Sequence, residues 1–180
     1  MASVQHDGGP VLLTLELTSG GADEIGSVRK IDLNDGGIRL ILSLPRLIDG
    51  EQANLTAALL FQQMERLPEN AQVERVKLAS LQFTAEGVIG IQGFLSLHAP
   101  TVKHVSFKDM LKEEYKQEDA EAFAALGSAF QTSTHLETLN LSDNAISGSM
   151  WENWSNHTGL RQLILDYVRM DDSSVVELHR

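Results

Sequence analysis

At 180 residues the chain is long enough for one well-formed core, or for a small cap plus a short array, and too short for two large domains. A net charge of -11 disfavours a broad grip on nucleic-acid phosphates or on anionic membrane surfaces. The absence of cysteine excludes disulfides, thiol nucleophiles and cysteine metal sites.

The first ten residues, MASVQHDGGP, lack the basic start and apolar core of a secretory signal. No apolar run reaches the roughly 20 residues needed to span a bilayer. The expectation is therefore a cytoplasmic protein, in which the sequons at Asn54, Asn140, Asn153 and Asn156 are chance. "VLLTLELT" (11 to 18) and "GIRLILSL" (37 to 44) alternate apolar with other residues, and "VRKIDL" (28 to 33) ends at "NDGG". This predicts a short antiparallel meander with a hairpin around Asn34 to Gly37. A helix is expected over 51–67, with Leu55, Leu59, Leu60, Met64 and Leu67 on the stripe that faces the core. Pro68 and Asn70 break it.

Beyond residue 70 the signal changes from local periodicity to recurrence. The spacing apolar-x-x-apolar-x-apolar occurs at Val73, Val76, Leu78 and at Val102, Val105, Phe107. It returns at Leu136, Leu139, Leu141 and at Leu160, Leu163, Leu165, so the starts are 29, 34 and 24 residues apart. Between the hits lie helix-like segments, "TAEGVIGIQGFLSLH" and "QEDAEAFAALGSAFQ", the second with Ala122, Phe123, Leu126 and Phe130 on one face. A strand and return segment of this size cannot bury its apolar side alone, so neighbouring units must stack.

Residues 136 to 146, with Leu136, Leu139, Leu141, Asn144 and Ile146, resemble the leucine-rich repeat pattern L-x-x-L-x-L-x-x-N/C-x-L in full. The other three units match the strand part and carry Leu81, Met110 and Val168 where this one has Asn144. The two longer units are similar to the ribonuclease-inhibitor subtype, and "NAISGSM" resembles the plant-type repeat. The resemblance implies an α/β solenoid with a parallel sheet on its concave face: about four repeats over 71–180, behind an N-terminal meander and helix cap over 1–70. An irregular early repeat is the alternative for 1–70, because Val28, Ile31 and Leu33 share the strand spacing. The resemblance also implies that Asn144 lies under the turn after its strand and bonds backbone groups there.

Alternation within each strand sends the intervening residues outward. The outward row is Arg75, Lys77 and Ala79; His104, Ser106 and Lys108; Thr138, Asn140 and Ser142; Gln162, Ile164 and Asp166. By the family resemblance such a face binds a protein partner. Its first two units are basic in an acidic chain, which suits an acidic partner segment; the plainer alternative is a solvated face whose cations pair with Glu74 and Asp109. The acidic run "KDMLKEEYKQEDAE" (108 to 121) reads as a solvated edge, and at least one of Trp151 and Trp154 as core.

No enzyme is expected. The six histidines show no metal-binding spacing, and no nucleophile elbow, Walker loop or dinucleotide fingerprint occurs, so neither metal nor cofactor is assigned. The expected function is a non-catalytic interaction module, or scaffold. Its alternatives are a regulatory repeat protein of the GTPase-activator type and an extracellular recognition fragment. "MDDSSVVELHR" (170 to 180) only begins an apolar side, which leaves self-association through the last repeat as a further expectation.

Overall fold

The computed structural model describes residues 9–20, 25–111, 117–146, 154 and 157–170. The expectations for Trp151, Asn153, Asn156, most of "MDDSSVVELHR" and the centre of the acidic run lie outside these residues. The strands are β1 (Val11–Ser19), β2 (Arg29–Asp32), β3 (Ile38–Leu44), β4 (Leu47–Ile48), β5 (Ala71–Ala79), β6 (Gln82–Phe83), β7 (His104–Lys108), β8 (Thr138–Asn140), β9 (Ala145–Ile146), β10 (Gln162–Ile164) and β11 (Arg169–Met170). The helices are α1 (Gly50–Met64), α2 (Ala85–His98) and α3 (Gln117–Ser128). The expected α/β class holds: seven strands form one sheet in the order β10-β8-β7-β5-β1-β3-β2, and only the β2–β3 pairing is antiparallel. Two short parallel pairs, β4–β6 and β9–β11, lie beyond the ends of the main strands.

The antiparallel meander is corrected. The β2–β3 hairpin turns through Leu33 to Gly37, with Gly36 at φ 83°, where a glycine has no steric cost. But β1 runs parallel to β3. At the end of β3 Gly20 donates to the Leu44 carbonyl and Gly26 to that of Ser43, and β2 lies on the far side of β3 from β1. Val28, Ile31 and Leu33, which share the repeat spacing, therefore fall in and around an antiparallel edge strand, and every residue of β2 is exposed. On its other side β1 pairs with β5, so the sheet is continuous across residue 70.

The three-then-two spacing has a physical cause in the backbone. Between Leu13 and Thr14 the register advances one residue on β1 and two on β5, from Val73 to Arg75. The strict period 2 of β1 meets the longer repeat of β5, and the extra residue, Glu74, is absorbed as a bulge. The later strands pair one-to-one, and there Glu137 and Thr138 both donate to the Lys103 carbonyl, and Arg161 and Gln162 both donate to that of Glu137.

Seven residues after each start, at Ser80, Asp109, Asp143 and Tyr167, the chain takes a left-handed conformation with φ between 52° and 60°. Three equivalent bonds join these turns: Ser80 N–H to the Lys108 carbonyl, Asp109 to Ser142, and Asp143 to Asp166. Local conformation and its neighbour contact thus recur together, as stacked supersecondary units require.

The core lies between the sheet and the three helices. Asp49 caps α1 and closes a capping box with Gln52, and Thr84 caps α2 through the Gly87 N–H. The stripe expected on α1 is rotated: Ala53, Thr56, Ala57 and Leu60 are buried, Leu55 is exposed, and the helix ends at Met64. Small residues face inward because α2 comes close. A Cβ on Gly90 would lie 2.7 Å from that of Ala53, and one on Gly87 would collide with the Ile48 carbonyl. β4 pairs directly with β6 although β3 and β5 lie two strand spacings apart, with β1 in the gap. That gap of roughly 9.6 Å matches the usual separation of packed helices, so α1 and α2 sit side by side above it. On α3 the expected Ala122, Phe123 and Leu126 are buried, as is Phe130 just after it. Phe107 packs edge-on against Phe123, Phe130 and Trp154, so Trp154 is a core residue. Among the described residues no helix is long and apolar enough to cross a membrane.

Candidate functional site: the groove over the sheet

Side chains on the face of the sheet opposite the helices line an open groove of about 570 Å³. Its walls hold Arg75, Lys77 and Ala79 of β5, His104, Ser106 and Lys108 of β7, Thr138 and Asn140 of β8, and Gln162 and Ile164 of β10. Parallel register sets them in rows. One row is Glu16, Lys77, Ser106, Asn140, Ile164, and the next is Thr14, Arg75, His104, Thr138, Gln162. Five strands at the usual spacing make a row roughly 19 Å long.

Two outward residues fall elsewhere. Ser142 is buried: its carbonyl accepts from Asp109 N–H and from the Asn144 amide, and its hydroxyl accepts from Asp166 N–H. Asp166 lies on the turn after β10, exposed and outside the groove lining. β5 and β7 run on to Ala79 and Lys108, which reach the groove, whereas β8 and β10 end at Asn140 and Ile164, two residues before Ser142 and Asp166 could continue the row. Glu16 joins the groove from β1. The alternation of "VLLTLELT" already turns it outward, but the meander expectation kept β1 away from β5.

The charges are partly tied down. Glu74, its side chain only 15% exposed, holds Lys103 at 3.2 Å and Arg75 at 3.7 Å. Lys108 pairs with Asp143 at 3.3 Å, whereas Asp109 accepts from the Ser80 hydroxyl at 2.8 Å. Among the described residues Lys77, second in its row after Glu16, forms no ion pair, although Glu16 is its cross-strand neighbour. Burial lowers the pKa of His104 from 6.5, the Arg75 charge lowers it further, and Glu74 and Glu137 oppose them. His104 is then neutral near pH 7 and can both donate and accept.

Beyond these cations the lining turns to hydroxyls and amides. Asn140 Oδ1 accepts from the Ser142 N–H at 2.9 Å, which fixes the side chain at the strand end. Leu136, Leu139 and Leu141 are buried beneath this part of the groove. Asn144 and Ile146 follow in the turn and β9; both are buried, and Asn144 Oδ1 accepts from Met110 and Leu111 N–H, each at 2.9 Å. Among the described residues no group of three or more His, Asp or Glu could hold a metal ion. The arrangement sets Arg75, Lys77 and Lys108, with Glu16 beside Lys77, at one end of the groove and hydroxyls, amides and Ile164 at the other. No protein-family model, curated protein or solved structure matches this chain, so the geometry of the groove is the ground for a functional reading.

Proposed function

We propose that residues 71–170 form a short solenoid of the leucine-rich-repeat kind, and that the chain is a non-catalytic interaction module gripping an extended, acidic segment of a protein partner. Four recurring left-handed turns and three equivalent turn-to-turn hydrogen bonds support the repeat reading. One observation carries the functional reading. Outward residues of four successive units meet in a single groove, with the unpaired Lys77 between Arg75, His104 and Lys108. A chain of net charge -11 that gathers cations on one face steers an acidic segment to that face.

A fluorescent poly-glutamate peptide, read by anisotropy at low salt, tests it. The wild type binds, and Lys77→Glu weakens binding about tenfold or more, equivalent to about 1.4 kcal/mol. A poly-lysine peptide does not bind. Equal binding of both peptides, or a Lys77→Glu protein indistinguishable from wild type, overturns the reading.

A further inference from the structure

The groove is polar except at one point. Ala79 offers only a methyl group, and Val76 and Val105 are buried, so among the described lining residues Ile164 is the one large apolar side chain turned to the groove. Leu163 and Leu165 on either side of it pack against the core, whereas Ile164 is partly buried without joining that cluster. An apolar group laid on it by a partner removes surface from water on both sides of the contact.

The place of Ile164 relative to Lys77 is fixed by register. Lys77 pairs with Ser106, Ser106 with Asn140, and Asn140 with Ile164, so the two ends lie in one row three strand steps apart, roughly 14 Å at the usual strand spacing. An extended peptide along the row advances about 3.3 Å per residue and turns every second side chain to the sheet. Residues i and i+4 then stand about 13 Å apart on the same side. A separation of two residues gives about 7 Å and one of six gives about 20 Å, and odd separations turn one of the two side chains away. A separation of four fits.

This rests on the groove being a site for an extended acidic segment, and we infer that the segment it selects carries a carboxylate and an aliphatic side chain four residues apart, the carboxylate on Lys77 and the aliphatic group on Ile164. Residue i+2 lies over the boundary between Ser106 and Asn140. Asn140 Oδ1 is taken by the Ser142 N–H, so Asn140 offers its amide hydrogens and Ser106 its hydroxyl, and a residue with a side-chain oxygen suits that place. Glu16, one strand beyond Lys77, repels a second carboxylate on that side. The acid therefore marks one end of the contact and the aliphatic group the other.

Capped peptides of Ser and Thr carrying one Glu and one Leu, placed at i and i+3, i+4 or i+5 in either chain order, provide the test, with poly-glutamate as the reference. In amide chemical-shift titrations of the wild type, the better order of the i+4 peptide is expected to bind about tenfold tighter than the i+3 and i+5 peptides. Ile164→Thr keeps a β-branched residue in the strand and removes most of the apolar contact, so the preference for i+4 disappears. Circular dichroism shows that this variant is folded, and the comparison of spacings on the wild type decides without it. Three spacings that bind the wild type alike while poly-glutamate binds, or a preference that survives in folded Ile164→Thr, overturn the inference and leave the acidic-segment reading standing. Failure of poly-glutamate to bind the wild type overturns both.

Discussion

Asn144 and Phe107 are joined across 37 residues of sequence: the Asn144 amide donates to the Phe107 carbonyl at 2.7 Å. The same amide donates to the Leu141 and Ser142 carbonyls at 2.8 and 3.0 Å, and its oxygen takes the Met110 and Leu111 N–H groups. One side chain thus meets five backbone groups from two adjacent turns, its two amide hydrogens shared among three carbonyls. Asn144→Leu, which mimics Leu81, takes this partner from the Phe107 and Leu141 carbonyls and from the Met110 and Leu111 N–H groups in a buried site, while the Ser142 carbonyl keeps Asp109 N–H. The expected loss is about 3 kcal/mol in urea unfolding, the upper part of the range for a buried partner removed.

The contact of α1 with α2 depends on two missing methyl groups. Gly87→Ala drives a Cβ into the Ile48 carbonyl, which is backbone and cannot swing aside, and Gly90→Ala presses on Ala53 and Asn54. Gly93, on the same helix, has open space around it. Thermal unfolding is expected to show Gly87→Ala and Gly90→Ala destabilised by roughly 1 to 3 kcal/mol. Gly93→Ala is stabilised by up to about 1 kcal/mol, the helix-propensity difference.

Acid is expected to weaken the fold and strengthen the groove. His98, His104 and His157 all have pKa values lowered by burial from 6.5. The unfolded chain then binds more protons than the folded one, so their contribution is fully present above pH 6.5 and is lost as pH falls towards the lowered folded values. Melting temperature therefore falls from pH 7.5 to pH 5.5. His104 lies among Arg75, Thr138, Glu74, Glu137 and Lys103, and its protonation adds positive charge where an acidic peptide lies. Poly-glutamate affinity rises over the same interval in the wild type and stays flat in His104→Gln.

The aromatic cluster holds α3 to the sheet. Phe107, fully buried, touches Phe123, Phe130 and Trp154 with ring centroids 5.7 to 5.9 Å apart. Phe107→Ala is expected to cost about 3 to 5 kcal/mol by chemical denaturation, the range for a large core aromatic. Phe61→Ala, at a ring 40% exposed on α1, costs clearly less.

Much of the second half was legible in the sequence because its signal is a spacing that one backbone feature imposes. Leu136 to Leu141 and their three counterparts are adjacent, parallel strands. The residues between them, Arg75 through Ile164, reach one groove. The first half was less legible. "VLLTLELT" and "GIRLILSL" alternate alike whether their strands run parallel or antiparallel, since period 2 records which face is buried and not direction. Nothing local in "VLLTLELT" marks β1 as the strand lying between β3 and β5. The left-handed turns at Ser80 and Tyr167 were hidden as well, because neither residue favours positive φ and only neighbouring turns hold them there.

The most direct measurement is a titration of ¹⁵N-labelled protein with poly-glutamate peptide, followed by amide chemical shifts. Shifts centred on Lys77, Ser106, Asn140 and their row neighbours, and absent from the exposed faces of α1 and α2, are the predicted result. Shifts confined to the helices, or saturable binding that leaves the Lys77 row unmoved, contradict the account.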